Sequence, residues 1–265
     1  MLKFSANLSL LFTEYDFPKR FLHAAAAGFK GVEYLFPYDY KAEQIKQWLD
    51  DQQLEQVLFN MSAGNWGVGE RGIACLPSRK TEFQESVHQA MEYAEILGNQ
   101  LVHCMAGVKP EGMRYADALD CYLENLDFAA NIAAQHDRLV CIEPINVYDM
   151  PNYFLNYSEQ AIEIISELEH PNLRLQYDVY HAQRMEGHLS QTIERLLPYI
   201  AHMQIANSPG RHEPHLGEIN YNFIFHLLKQ LQYEGWVGCE YLPATTTVAG
   251  LVWLNTYRNE QSNTN

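Results

Sequence analysis

The sequence predicts an α/β fold, a single (β/α)8 TIM barrel over residues 1–258, followed by a polar C-terminal tail at 259–265. The 265 residues suit such a barrel, which commonly runs to about 250 residues. Eight short apolar stretches alternate with longer stretches of helical periodicity, and this alternation is typical of a parallel sheet. Each apolar stretch ends on a polar residue, and consecutive ends lie 26 to 43 residues apart, which fits one strand and one helix. These ends are Asn7, Glu33, Asn60, His103, Glu143, Asp178, Gln204 and Glu240.

The strands are expected at the apolar stretches that carry these polar ends. In chain order, the strand candidates are residues 3–8, 31–36, 55–60, 100–106, 138–145, 173–180, 200–206 and 236–242.

Helices are expected between the strands. Residues 79–97 and 115–135 have apolar side chains at helical spacing, and Gly98 is placed to cap the first of these helices. Ser158 and Asn220 are expected to cap two later helices at their N-termini. The predicted buried positions of these two helices are Ile162, Ile165, Leu168, Phe223, Ile224, Leu227 and Leu231.

An open, doubly wound sheet is the competing arrangement. Such a sheet usually carries a glycine-rich nucleotide-binding turn after its first strand. Residues 7–12 contain no glycine at that position. The closed barrel is therefore favoured.

The charge balance is strongly acidic. The formal net charge is −15, from 33 acidic and 18 basic residues. Nucleic-acid affinity rests largely on Lys and Arg neutralising phosphates, so we expect no DNA or RNA partner. A small anionic substrate needs only a local cation and is not excluded.

Cysteine usage and hydropathy indicate the cytoplasm. The five cysteines form an odd number with no CxxC motif, which indicates a reducing compartment rather than a disulfide scaffold. The first residues resemble a strand rather than a signal peptide. No apolar run reaches the roughly 18 residues that cross a membrane, so no membrane association is expected.

Four of the polar ends lie on consecutive strands 5 to 8, and they predict a metal site. In these barrels the active site lies at the C-terminal ends of the strands. Glu143, Asp178, Gln204 and Glu240 would offer only oxygen ligands there, which suits Mg²⁺ or Mn²⁺ better than Zn²⁺. The alternative interpretation is that these side chains hydrogen-bond to loop backbone.

The same residues predict proton-transfer chemistry. Moving a proton beside a carbonyl requires a base and a group that stabilises the developing enediolate, and Glu143 and Glu240 with a divalent cation would supply both. His181, Arg211 and Arg71 are the candidate substrate-binding residues, since guanidinium groups bind carboxylates bidentately. A structural role for the histidine and a surface position for each arginine are the alternatives.

Two further features stay open at this level. Asp149 either orients a substrate hydroxyl or caps a loop. The glycine-rich segment 61–80 around Trp66 is either a lid that excludes water or a plain long loop.

Six motifs resemble one family. They are residues 4–9 (FSANLS), 69–74 (GERGIA), 142–146 (IEPIN), 176–187 (QYDVYHAQRMEG), 217–221 (GEINY) and 235–241 (GWVGCEY). Together they are similar to the hydroxypyruvate isomerase family of xylose-isomerase-like barrels, and the similarity covers about residues 2–258. The resemblance implies catalytic glutamates at Glu143 and Glu240 and metal ligation by these two residues with Asp178 and Gln204. It also implies an aldose–ketose isomerase that interconverts hydroxypyruvate and 2-hydroxy-3-oxopropanoate through a cis-enediolate.

The resemblance leaves the exact substrate open. Residues 103–108 (HCMAGV) are similar to the sister group, the 2-oxo-tetronate isomerases, so the choice between three and four carbons stays open. The related keto-sugar 3-epimerases carry a histidine at the position of Gln204, and this departure leaves the metal's identity open. A keto-sugar epimerase is a further alternative within the superfamily.

Two functions from other classes fit the sequence less well. A metal-dependent DNA-repair nuclease shares the superfamily fold, but it would need a histidine-rich multi-zinc site and a basic groove. A barrel retained as a non-catalytic binding protein is disfavoured by intact Glu143 and Glu240. A homo-oligomer is left open.

Overall fold

The computed structural model describes Leu2–Asn255 and Tyr257. Over this range the predicted fold is confirmed: eight parallel strands close into one barrel, each pairing with the next and the last with the first. The strands are β1 Lys3–Asn7, β2 Gly31–Glu33, β3 Glu55–Asn60, β4 Leu101–His103, β5 Leu139–Ile142, β6 Leu173–Asp178, β7 Ile200–Ile205 and β8 Trp236–Cys239. The predicted tail at 259–265 lies outside the described residues, so the domain division stays a prediction.

Helices follow the strands around the outside of the barrel. They are α1 Phe17–Ala26, α2 Ala42–Gln52, α3 Lys80–Leu97, α4 Tyr115–Gln135, α5 Ser158–Leu168, α6 Val179–Met185, α7 Leu189–Leu196, α8 Tyr221–Gln230 and the single turn α9 Thr247–Gly250. Short 3-10 turns lie at Trp66–Val68, Pro77–Arg79 and Leu197–Tyr199.

The predicted helix ends are mostly correct. Gly98 ends α3 with a φ of +82°, in the left-handed region that glycine adopts at little cost. The Asn220 side chain caps α8 by accepting a hydrogen bond from the Phe223 amide. The prediction for Ser158 was wrong by one residue, because Tyr157 occupies the cap position and Ser158 is the first helical residue.

One predicted core residue was wrong. Phe223 is 53% exposed, whereas Ile224 and Leu227 on the same helix are buried. Phe223 lies in the first turn of α8 on the outward face of the helix, whereas Tyr221 and Ile224 on either side of it are buried. An aromatic side chain that is adjacent in sequence to a buried residue therefore need not face the core itself.

Strand register gathers the polar ends at one rim. Asn7 pairs with Glu33 across β1 and β2, and Asp178 pairs with Gln204 across β6 and β7. Glu143 directly follows β5. Since parallel strands place their carboxyl ends on the same side, these side chains converge on the C-terminal mouth of the barrel.

Candidate active site and metal centre

A cavity of about 150 Å³ opens at this rim. Its polar wall includes Glu143, Gln204, Glu240, His181 and Arg211, which come from four different strand ends and the loops beyond them. Its apolar wall is formed by Leu10, Leu35, Leu58, Trp66, Met105, Ile145 and Met150, among others. Ligand pockets commonly measure roughly 300–1,000 Å³, so this cavity suits a very small molecule.

Three ionisable residues cluster closely enough to share a cation. Glu143, Asp178 and His181 each offer one ligand atom, and these atoms lie within 4.8 Å of one another. Asp178 caps α6, where its Oδ1 accepts a hydrogen bond from the Tyr180 amide at 2.7 Å. Its Oδ2 is buried and has no hydrogen-bond partner in the described part of the chain. A buried carboxylate oxygen without a donor fits a metal ligand, because such an atom is otherwise costly to bury.

His181 faces the two carboxylates of this cluster. Its Nε2 lies 3.8 Å from Glu143 Oε1 and 3.7 Å from Asp178 Oδ2. On the other side of the ring, Nδ1 lies 2.6 Å from Asn146 Nδ2, an amide nitrogen that can only donate. Nδ1 therefore accepts and Nε2 carries the proton, so His181 in this tautomer has no free nitrogen for a cation and the ligation is left to oxygens. Burial, with help from Arg211, holds the pKa of His181 well below its usual value, so the ring is neutral and presents an N–H to the cavity.

The carboxylates are strongly perturbed by burial. Burial raises the pKa of Glu143 well above its usual value, and the negative charges of Glu240 and Asp178 raise it further. Burial likewise raises the pKa of Asp178 to about 6 and that of Glu240 to about 8, against the opposing effect of Arg211. Several buried acids that ionise reluctantly together form a site that a divalent cation would stabilise.

Arg211 supplies the nearest positive charge. Its Nη2 lies 3.0 Å from Glu240 Oε1, and Nη1 lies 3.9 Å from Asp149 Oδ2. Burial lowers the pKa of Arg211, but Glu240 and the other nearby carboxylates outweigh that effect and raise it. Asp149 also accepts a hydrogen bond from the Tyr180 hydroxyl at 2.9 Å. Asp149 therefore helps to position this arginine, a role that was not predicted from the sequence.

Gln204 is held between two buried side chains. Its Oε1 accepts a hydrogen bond from Gln176 at 2.7 Å, and its Nε2 donates to Glu33 Oε1 at 2.8 Å. His202, two residues earlier on β7, lies 2.9 Å from Glu33 Oε2 through its Nε2. Burial alone would raise the pKa of Glu33, but its contacts with His202, Gln204 and Ser5 together lower it.

Sequence reasoning assigned no role to Glu33 and did not single out His202. The sequence did contain an indication for His202. Residues two positions apart on a strand point to the same side, so His202 shares the face of Gln204. Glu33 was recognised only as a polar strand end. Its partners on β1 lie on a neighbouring strand, but those on β7 do not, and no sequence spacing indicates contacts between strands that are not neighbours.

Arg71 does not join the carboxylates. Its guanidinium lies over the Trp66 ring at 3.9 Å from the ring centroid and donates to the backbone oxygens of Trp66 and Glu70. Trp66 itself lines the cavity. The structure thus brings together all the predicted site residues except Arg71, which reaches the cavity only through Trp66. Their roles as ligands, bases and substrate contacts stay predictions.

Comparison with known proteins identifies the family. The family model described as a xylose isomerase-like TIM barrel matches residues 21–257. The chain belongs to this family. The hydroxypyruvate isomerase of Escherichia coli K12 is 49% identical over 258 residues, covering 97% of this chain and all of that protein. A 2-oxo-tetronate isomerase of Cupriavidus necator is 46% identical, covering 97% of this chain and 99% of that protein.

Solved structures agree on the fold. A crystal structure from Brucella melitensis, described as an AP endonuclease of family 2, superposes with a TM-score of 0.95 at 43% identity and covers 97% of this chain and 99% of that chain. The 3-keto-D-glucoside 4-epimerase of E. coli superposes with a TM-score of 0.80 at 18% identity, covering 97% and 99%, which shows the fold alone. The predicted resemblance to the hydroxypyruvate isomerase and 2-oxo-tetronate isomerase group is confirmed.

Within Leu2–Asn255 and Tyr257, each helix is too short or too polar to cross a bilayer.

Proposed function

We propose that the protein is an aldose–ketose isomerase that interconverts hydroxypyruvate and 2-hydroxy-3-oxopropanoate. The observation that carries this proposal is the convergence of the buried Glu143 and Glu240 with Arg211 around one small cavity, with buried Asp178 clustered beside Glu143. The relatives named hydroxypyruvate isomerase and 2-oxo-tetronate isomerase, at 49% and 46% identity over nearly the whole chain, support the same enzyme class.

The site fits a hard divalent cation, Mg²⁺ or Mn²⁺. Glu143, Asp178, Gln204 and Glu240 would hold it, because carboxylate and amide oxygens suit these ions. The unpartnered Asp178 Oδ2 supports this assignment. When bound, the cation supplies electrophilic stabilisation of negative charge on the substrate oxygens.

The side chains of the protein carry out the proton transfer. One of the two glutamates removes a proton from the hydroxymethyl carbon of hydroxypyruvate, which gives a cis-enediolate, and the proton returns to the adjacent carbon. Without metal, burial raises the pKa of Glu240 to about 8, and a bound cation would favour its ionised form, which can accept the proton. Both glutamates are buried and line the cavity, so Glu143 and Glu240 are the two alternatives for the first step.

Two neighbouring groups would hold the substrate. His181 presents its Nε2–H to the cavity and can donate to a substrate oxygen. Arg211 stands beside Glu240 and can pair with the substrate carboxylate through its planar fork. The apolar wall of Leu58, Met105 and Ile145 keeps water away from the enediolate.

A 2-oxo-tetronate substrate is the second candidate. The relative with that name covers 99% of its own length in the alignment and is nearly as similar as the hydroxypyruvate isomerase. The reaction class and the residues would be the same, and the substrate would have one carbon more.

A substrate panel tests the proposal. The full-length protein is stripped of metal with EDTA and assayed with hydroxypyruvate and with 2-oxo-tetronate, alone and with added Mg²⁺ or Mn²⁺. We expect metal-dependent turnover, with the higher kcat/KM on hydroxypyruvate. Higher kcat/KM on 2-oxo-tetronate would reassign the substrate, and absence of turnover on both with either ion would overturn the isomerase proposal.

A nuclease function is disfavoured in spite of the description of the Brucella structure. The chain carries a net charge of −15, which is unfavourable for binding a polyanion such as DNA. We expect no cleavage of duplex DNA containing an abasic site under the metal conditions that support isomerase turnover. Cleavage that is lost in Glu143→Gln would show that this site acts on DNA.

The cytoplasmic location also stays a proposal. It is supported by the five cysteines, all of which are buried and none of which forms a disulfide within the described residues.

A further inference from the structure

Glu33 lies beneath the rim of the cavity and takes no direct part in the proposed proton transfer. It belongs to β2, yet its carboxylate reaches β7 on the far side of β1 and β8. The side chain is fully buried. A buried carboxylate in the interior of a barrel is costly, so its retention calls for a physical reason.

Donors converge on both carboxylate oxygens. Oε1 accepts from Gln204 Nε2 at 2.8 Å and from Asn7 Nδ2 at 3.3 Å. Oε2 accepts from Ser5 Oγ at 2.7 Å and lies 2.9 Å from His202 Nε2. An ionised carboxylate offers only acceptors, so each of these groups must turn a donor toward it.

This requirement decides which way the Gln204 amide points. Only the NH₂ group of Gln204 can face Glu33, and the oxygen is therefore turned to the opposite side. There Oε1 accepts from Gln176 Nε2 at 2.7 Å, and Gln204 and Gln176 both line the cavity. An amide oxygen has two acceptor sites, so one remains for a cation. In the reversed orientation the amide would present its nitrogen, which cannot ligate a cation.

The barrel makes room for this carboxylate at Gly238 of β8. Gly238 pairs with Ser5 on one side and with Gln204 on the other. A Cβ at position 238 would stand 2.3 Å from Glu33 Oε1 and 2.4 Å from Oε2. Any larger residue there would displace the Glu33 carboxylate from Gln204.

We propose that Glu33 is a positioning residue that fixes the Gln204 amide with its oxygen toward the cavity and so sets the metal affinity of the site. The inference rests on the proposed metal site. Residues that orient a metal ligand typically change metal affinity by about 10- to 100-fold when they are replaced.

The test is a metal-binding titration rather than an activity assay. The full-length protein is stripped with EDTA, and Mn²⁺ affinity is measured by electron paramagnetic resonance for the wild type and for Glu33→Gln. Glutamine at position 33 has nearly the shape of glutamate, but it can present a donor to Gln204 and allow its amide to turn. We expect the Mn²⁺ affinity of Glu33→Gln to fall at least tenfold. Wild-type affinity in this variant would overturn the proposal.

A matched control separates orientation from general disturbance of the network. Ser5→Ala removes one donor from Glu33 Oε2 and leaves the bond between Oε1 and Gln204 in place. We expect its Mn²⁺ affinity to fall by clearly less than the roughly tenfold that loss of a ligand-orienting residue typically causes. A loss as large as that of Glu33→Gln would show that the network matters as a whole and would overturn the specific role.

A double-variant cycle shows whether Glu33 acts through Gln204. In a Gln204→Ala background there is no amide to orient, so adding Glu33→Gln should cause no further loss of affinity. An additional tenfold loss in that background would contradict the proposed route. If Glu33→Gln does not fold, Gly238→Ala carries the same test, since it keeps every polar group and moves the carboxylate.

A wild-type measurement complements the variants. The Gln204 side-chain amide protons should be protected from hydrogen exchange in both metal-free and Mg²⁺-loaded protein, because Glu33 holds them in both states. Rapid exchange in the loaded protein would overturn the inference. If the wild type binds no Mn²⁺ at all, the proposed metal site itself is wrong. If the wild type and Glu33→Gln bind Mn²⁺ with the same affinity, only the positioning role of Glu33 is wrong.

Discussion

Arg211 Nη2 lies 3.0 Å from Glu240 Oε1, and this contact joins a predicted substrate-binding residue to a predicted catalytic one. The guanidinium therefore has two available partners, the glutamate and the carboxylate of an incoming acid. Asp149 and the face of the Tyr180 ring limit its movement. The same positive charge can thus lower the pKa of Glu240 and anchor the substrate next to it.

Replacing Arg211 should therefore reduce activity in a way that depends on the substrate carboxylate. A hydrogen bond to a charged group contributes about 1.5–3 kcal/mol, so Arg211→Ala should lower kcat/KM for hydroxypyruvate by roughly 10- to 100-fold. Hydroxyacetone has a methyl group in place of the carboxylate, and its much slower turnover should change less. Steady-state kinetics on both compounds, with Arg71→Ala as the control, measure the difference. Equal losses on both would assign Arg211 to the glutamate alone.

Metal binding should strengthen as pH rises. The pKa of Glu240 is raised from 4.5 to about 8 and that of Asp178 from 3.8 to about 6, so metal-free protein holds protons that a cation must displace. Mg²⁺ affinity should increase between pH 5.5 and 8, by up to about tenfold per pH unit for each proton released. Calorimetric titration in buffers of different ionisation enthalpy counts these protons. An affinity that does not change over this range would contradict the raised pKa values.

The stability of the metal-free protein, unlike its metal affinity, should decrease as pH rises. A carboxyl group whose folded pKa lies above its unfolded pKa stabilises the fold at low pH, and that contribution is lost as pH rises through the folded value. For Glu240 the loss falls between about 4.5 and 8. The melting temperature of EDTA-treated protein should therefore fall from pH 5.5 to pH 8, and the fall should be smaller in Glu240→Gln. If the melting temperature of Glu240→Gln depends on pH as that of the wild type does, Glu240 is not the cause of this dependence.

The identity of residue 204 should set the metal preference. Imidazole suits Zn²⁺ and Co²⁺ better than an amide oxygen does, so Gln204→His should shift the preference toward these ions. Histidine would also lose the paired contacts to Glu33 and Gln176, which adds a general loss of affinity. Competition between Mg²⁺ and Co²⁺ for wild type and variant measures the preference. An unchanged ratio would count against Gln204 as a ligand.

The barrel and most of the candidate site could be predicted from the sequence, because polar residues at strand ends stand out from the apolar strands. A parallel strand needs apolar residues on both faces, so a polar residue at its end is conspicuous. Glu143, Asp178 and Glu240 are residues of this kind. Their convergence follows from closure of the barrel, which no single segment specifies but eight repeated units favour.

The rest depends on contacts that sequence order does not show. The bond from Gln204 to Glu33 joins residues 171 positions apart on strands that are not neighbours. The predicted anchor Arg71 turned instead onto Trp66, five residues away, because the local loop offers it an aromatic face and two carbonyl oxygens. The exposure of Phe223 likewise depends on where the first turn of α8 meets the barrel.

The two glutamates of the proposed reaction should each be needed for turnover. Glu143→Gln and Glu240→Gln each keep an oxygen that can ligate a metal and remove a group that can take a proton. Each variant should fold, and each should lose at least about 10²-fold in kcat, the lower end of the usual contribution of general acid–base catalysis. Solvent deuterium should appear at the carbon that receives the proton in the wild type.

Removing both glutamates should cost little more than removing the more important one. Residues that act as a unit are strongly non-additive, so the double variant should be close to the worse single variant. Steady-state kinetics with hydroxypyruvate and 2-oxo-tetronate on the wild type and the three variants, all at saturating Mg²⁺, provide the comparison. Saturating metal separates a lost base from a weakened ligand, since a variant that only binds metal less tightly would regain its kcat. If either single variant turns over at near the wild-type rate, that glutamate is not a base, and the two-carboxylate mechanism fails.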